Sequence, residues 1–170
     1  MVRFPSRMFL LNRSWLRSAV QRQIYWLLFS KAAVGPVRRC GTAWAAAQSE
    51  LQHAAIGYFG ASTGSTAALI AAARLGHPIA AEVARGGRPD LAGPAALAKV
   101  TAATLLIVGS ADHRVIELNK QAHAHMRCEK SLVIVPGATH LFEQAGALEQ
   151  VARLASSWFT AHRTSPRDTA

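Results

Sequence analysis

Ser62 lies in "IGYFGASTG" (residues 56–64), flanked at two residues' distance by Gly60 and Gly64 in the pattern G-x-S-x-G. A serine hydroxyl is a poor nucleophile until a base takes its proton, so a catalytic serine needs a histidine within reach and usually a carboxylate to orient that histidine. The chain offers both: Asp112 closes "GSAD" (109–112) and His140 closes "GATH" (137–140). Each of the three also has a plainer reading. Ser62 or Asp112 could cap the helix that follows it, and His140 could be an ordinary turn residue.

The elements around these residues decide how far the pattern can be trusted. From about Thr42 the sequence alternates short apolar runs with longer amphipathic segments, as expected of a parallel sheet covered by helices. The spacing predicts a helix over Thr42–Leu51, a strand over Ala54–Phe59 and a helix over Thr63–Leu75. A strand over Ile79–Ala84 follows, then a Gly/Arg/Pro-rich loop and a short helix near Ala95–Lys99. "TLLIV" (104–108) has the continuous apolar character of a strand buried on both faces. A helix over Val115–Met126, a strand over Leu132–Val135, a turn at Pro136-Gly137 and a helix from Glu143 to about His162 complete the pattern. Ser62, Asp112 and His140 then each follow the carboxyl end of a parallel strand, the edge at which open α/β sheets bind ligands.

In that setting, "IGYFGASTGSTAALIAAA", "ARGGRPDLAG", "TLLIVGSADHRVIELN" and "LVIVPGATHLFEQAGALEQVARLASSWF" resemble the dienelactone hydrolase-like branch of the α/β-hydrolase family over roughly Thr42 to His162. Members of this branch also occur fused to phosphoribosyltransferase domains. The order Ser, Asp, His along the chain is that of α/β-hydrolases. The resemblance implies a partial α/β-hydrolase fold, with a parallel sheet of about four strands flanked by helices. It further implies Ser62 as nucleophile, His140 as general base and then acid, Asp112 as the orienting carboxylate, and the backbone N–H of Thr63 as an oxyanion-hole donor. The reaction implied is hydrolysis of a small carboxylic ester or lactone through an acyl-enzyme, with no metal or organic cofactor required. Dienelactone hydrolases proper use a cysteine nucleophile, so Ser62 places the chain with their serine-using relatives. The alternative is a hydrolase-fold remnant with impaired catalysis, serving as a binding or interaction module.

Other polar residues are less specific. Arg85 and Arg88, in the loop after the second strand, could hold a substrate carboxylate or phosphate, or Arg88 could instead pair with Asp90. His123, His125 and Cys128 suggest a metal only superficially, because residues two apart on a helix point to nearly opposite faces. His113 and Glu117 read as a mouth residue and a helix-face charge.

The 170 residues suffice for one core, and the net charge of +10 is unevenly placed. Residues 1–49 carry Arg3, Arg7, Arg13, Arg17, Arg22, Lys31, Arg38 and Arg39, while all nine acidic side chains lie from Glu50 onward. Residues 1–41 therefore read as a basic arm unrelated to the family, 42–163 as the hydrolase-like domain and 164–170 as a polar tail. The arm has a composition that also fits an organelle transit peptide. It lacks any recognised nucleic-acid motif, so nucleic acid is not the favoured partner, and "IYWLLF" (24–29) is too short to span a bilayer. Cys40 and Cys128, far apart, read as reduced thiols of a cytoplasmic protein. The family's earlier strands are not legible in residues 1–41. The strand over Ala54–Phe59 is then left on an open edge that invites self-association, unless Ile24–Phe29 covers it.

Overall fold

The structure is a computed structural model and describes residues 24–29 (as backbone), 42, 55–76 and 79–163. Five strands run through it: β1 Ile24–Phe29, β2 Ala55–Ala61, β3 Ile79–Arg85, β4 Ala103–Gly109 and β5 Lys130–Val135. All four pairings are parallel, and the strands lie side by side in the order β1-β2-β3-β4-β5. A parallel pair cannot be closed by a tight turn, so each connection must cross over a face of the sheet. The crossovers from β2 onward carry α1 Thr63–Leu75, α2 Pro94–Leu97 and α3 His113–His125, and α4 Ala147–Ala161 follows β5.

The helices divide the core into two layers. Tyr58, Ala84 and Leu106 face one side, where they pack with Ala68 and Leu69 of α1, Leu97 of α2 and Ala122 of α3. Ala81, Val83, Leu105 and Ile107 face the other, against Val151, Ala155 and Phe159 of α4. Every residue of β4 is buried, which is why "ATLLIVG" shows no polar alternation: a strand covered on both faces has no solvent side to mark. α1 is rich in alanine because its buried face lies close on β2 and β3, and small side chains permit that approach.

The four strands expected from Ala54 onward are present, with ends that differ from the expected ones by at most two residues. The sheet gains a fifth from the basic arm. β1 pairs with β2 from Ile24↔Ala55 to Phe29↔Gly60, so the edge of β2 is covered, as the apolar run "IYWLLF" allowed. Thr42, helical and buried, ties in beside it: its Oγ1 and the hydroxyl of Tyr58 are 2.7 Å apart, giving the phenol of a wholly buried tyrosine a polar partner. The rest of the helix expected over Thr42–Leu51, and the polar tail, lie outside the described residues. α4 starts at Ala147, later than expected, because Gly146 takes a left-handed conformation at its start (φ 78°). Among the described residues no helix is long and apolar enough to cross a membrane.

Candidate active site

Ser62 is the single residue between β2 and α1, and its backbone is strained: φ is 51° and ψ is −126°. A positive φ costs an L-residue about 1–3 kcal/mol and persists only where its surroundings hold it there. Here they do. The Ser62 N–H donates to the carbonyl of Arg85 (3.0 Å), and the Ser62 carbonyl accepts from the N–H of Ser65 (3.2 Å), the Ser65 hydroxyl (2.6 Å) and the N–H of Arg88 (3.3 Å). Glycine at position 60 is a steric necessity, since a Cβ there would meet the Cα of Ser65 and lie 2.6 Å from its nitrogen. The glycine pattern thus lets α1 start hard against the end of β2, with the serine thrust out at the corner. Ser62 makes no side-chain capping bond to α1. Thr63, the first residue of α1, carries one of the N–H groups that a helix start leaves without an intrahelical partner.

Asp112 stands at the start of α3, and its side chain does not cap that helix either. Its Oδ2 lies 2.7 Å from Nδ1 of His140 instead. The two loops that bring them together are tightly joined. The N–H of Ala111 donates to the carbonyl of Ala138 (3.0 Å), the N–H of Gly137 donates to the Ser110 hydroxyl (2.7 Å), and a Cβ at Gly109 would collide with the backbone of Ala138. Gly137, at φ 70°, makes the turn that the Pro-Gly pair announced. The carboxylate is less exposed than the imidazole, at 16% against 40%. The acid therefore backs the ring while the ring reaches solvent.

The end of β3 and the loop after it join these halves. The Arg85 carbonyl holds Ser62, while the Arg85 guanidinium donates to the Leu141 carbonyl (3.3 Å) and sits 5.3 Å over the Phe142 ring. A Cβ at Gly86, whose φ is 52°, would lie 3.2 Å from the His140 carbonyl and 3.7 Å from its Cε1. Ser62 and His140 therefore flank the same two residues, Arg85 and Gly86. Burial lowers the pKa of the Arg85 guanidinium from its ordinary value. Arg88 forms a two-pronged pair with Asp90, Nε to Oδ1 at 2.9 Å and Nη2 to Oδ2 at 2.8 Å, and the hydrogen bond to Asp90 raises its pKa. Both arginines thus stand on the expected edge, and both are already engaged.

The remaining polar residues lie elsewhere. The Lys130 ammonium donates to the carbonyls of His123 (2.8 Å) and Met126 (2.6 Å) at the end of α3, and the Cys128 thiol lies 3.7 Å from the Thr104 hydroxyl. Among the described residues no group of three or more His, Cys, Asp or Glu side chains is placed to hold a metal ion. Glu117 pairs with Lys120 on the outer face of α3. Three buried residues escaped the sequence reading: Ser65, which clamps the Ser62 carbonyl; Asn119, which reaches the loop after β3; and Glu82, inside the sheet. A serine three residues past the elbow is a faint signal for the first. No sequence signal marks the other two, which read as solvent-facing polar residues.

No family model matches the sequence. Two proteins of Mycobacterium tuberculosis, from strains CDC 1551 / Oshkosh and ATCC 25618 / H37Rv and each named "Putative phosphoribosyl transferase", are 54% identical over 125 residues. That span is 74% of this chain and 28% of theirs. The crystal structure of a dienelactone hydrolase from Anabaena variabilis ATCC 29413 superposes with a TM-score of 0.70 at 52% identity, over 72% of this chain and 56% of that one. A dienelactone hydrolase-like promiscuous phosphotriesterase from metagenomic libraries, 17% identical, has the same fold at a TM-score of 0.61, over 75% of this chain and 60% of its own. The chain thus spans little more than a quarter of the curated relatives it matches and little more than half of the dienelactone hydrolase. Its parallel sheet and flanking helices form part of an α/β-hydrolase fold, similar in sequence and structure to dienelactone hydrolase.

Proposed function

We propose that the chain is a serine hydrolase acting on a small carboxylic ester or lactone. The observation that carries this reading is the 2.7 Å contact of Asp112 with His140, with His140 packed against Gly86 beside the segment that holds Ser62 in its strained turn. In this mechanism the Asp112 carboxylate accepts the Nδ1–H of His140 and so leaves Nε2 free to act as base. The Ser62 Oγ attacks the carbonyl carbon, its proton passes to Nε2, and the developing oxyanion is held by the Thr63 N–H. His140 then returns that proton to the leaving alkoxide as the ester bond breaks. Water, deprotonated by His140, cleaves the acyl-serine, and the proton returns to Oγ.

Hydrolysis is preferred to phosphoribosyl transfer because the Asp112–His140 pair can carry a proton and Arg85 and Gly86 link the loop of His140 to the turn of Ser62. A substrate carboxylate would reach Arg88 only in competition with Asp90, whereas Arg85 braces the loop of His140. The second reading is a binding module on a hydrolase scaffold. One experiment separates them: treatment with a fluorophosphonate probe, alongside assays with short p-nitrophenyl esters. The hydrolase reading expects labelling that the Ser62→Ala variant abolishes, together with ester turnover. A chain that folds, takes no label and turns over no ester would leave only the binding module.

A further inference from the structure

From the buried contacts of α3 we infer that Asn119 is a positioning residue for Ser62, acting through the carbonyl of Gly87; this rests on the serine-hydrolase reading above. Asn119 is wholly buried, in the middle of a helix where asparagine is a poor former. Its Nδ2 donates to the carbonyl of Val115 one turn back (2.8 Å) and to the carbonyl of Gly87 (3.0 Å). Its Oδ1 is buried without a hydrogen-bond partner among the described residues. An apolar side chain of the same size would avoid that desolvation penalty, so helix packing alone does not account for an amide here. What the amide does is grip the loop after β3.

That loop is wedged. The N–H of Arg88 is shared between the Ser62 carbonyl (3.3 Å) and the Ser65 hydroxyl (3.1 Å), the Arg88 carbonyl accepts from the Thr66 hydroxyl (2.5 Å), and a Cβ at Gly87 would lie 2.8 Å from that of Ser65. Displacement of the Gly87 peptide therefore moves the groups that hold the Ser62 carbonyl, and with it the peptide carrying the Thr63 N–H. The same helix begins at Asp112, seven residues earlier, about 10 Å along the axis. One rigid element thus fixes both halves of the site: its first turn holds Asp112 against His140, and Asn119 holds the loop that seats Ser62.

The test measures the rate constant for fluorophosphonate labelling of Ser62 as a function of pH in the full chain, for wild type, Asn119→Leu and Ala122→Gly. Ala122 is a buried neighbour on α3 with no bond to the loop, so its substitution loosens the helix without releasing Gly87. A misplaced nucleophile can cost up to about 100-fold; Asn119→Leu is expected to slow labelling about 10- to 100-fold without moving the midpoint of the pH profile, and Ala122→Gly to stay within about twofold of wild type. Equal rates for Asn119→Leu and wild type would overturn the inference and leave the hydrolase reading standing. So would a shifted midpoint, which would mean that Asn119 acts on Asp112 and His140, or equal slowing by Ala122→Gly, which would mean general loosening. No labelling of folded wild type would remove the hydrolase reading and this inference together. If Asn119→Leu does not fold, Asn119→Ala, which adds no bulk, carries the same comparison.

Discussion

Replacing Glu82 by leucine should make the protein more stable, and by more as the pH rises. Glu82 sits in the middle of β3, wholly buried, in a cross-strand row with Tyr58 on β2 and Thr104 on β4. Neither carboxyl oxygen has a hydrogen-bond partner among the described residues. The next side chain in the row, Lys130, is turned away to the carbonyls at the end of α3, the negative pole of that helix. Burial without a cation raises the Glu82 pKa well above the ordinary glutamate value of 4.5. An unpartnered polar group costs about 1–3 kcal/mol on burial, so Glu82→Leu should gain about that much, or about 2–12 °C in Tm for a chain of this size. The pH dependence has a definite sign. Below the unfolded value both states are protonated; above it the unfolded chain releases its proton while the folded one keeps it, and folding weakens by about 1.4 kcal/mol per pH unit until the folded value is passed. Urea denaturation of wild type and Glu82→Leu from pH 5 to 8 should give curves that diverge as pH rises. Glu82→Gln should abolish the extra slope while keeping most of the burial cost. Parallel wild-type and leucine curves, or a leucine variant less stable at pH 7, would refute the reasoning.

Asp112→Asn should lower ester turnover by about 10³- to 10⁴-fold while leaving the fold intact, because an amide holds His140 in the wrong tautomer; kcat and the far-UV spectrum together check this. Gly60→Ala should destabilise the chain by about 1–3 kcal/mol and slow labelling of Ser62, since its methyl group meets the backbone of Ser65; the urea midpoint and the labelling rate are the readouts. Proline at Trp26 and Leu27 together, neighbours of which one must direct its N–H toward β2, should loosen the β1–β2 pairing and promote association of the chain, read by light scattering. Scattering unchanged from wild type would mean that β1 does not protect the sheet.

Features set by local sequence were the easiest to read in advance. α1 has the expected bounds, Thr63–Leu75, because glycine punctuation and an alanine-rich run fall together. The three chemical residues follow strand ends because apolar runs of strand length precede them. β1 was harder: "IYWLLF" is compatible with strand or buried helix, and only a non-local pairing with β2 decides it. Glu82 and Asn119 were opaque for a related reason. A strand buried on both faces has no polar side, so a lone glutamate in "IAAEVAR" gives no warning that it points inward. An asparagine on an amphipathic helix likewise reads as solvent-facing until the loop it reaches is in place. Arg88 was legible as a choice between substrate and Asp90, and the structure places it on Asp90.

The conformation of Ser62 also bears on how this chain can change over generations. At φ 51° the backbone favours glycine, so the smallest replacement there would relieve strain and raise stability while discarding the hydroxyl. Substitutions that only need to preserve folding would drift toward glycine at position 62. A serine kept on that unfavourable backbone is what continued selection for its oxygen would leave behind, and the residue found at that corner in close relatives becomes a gauge of which copies still depend on it.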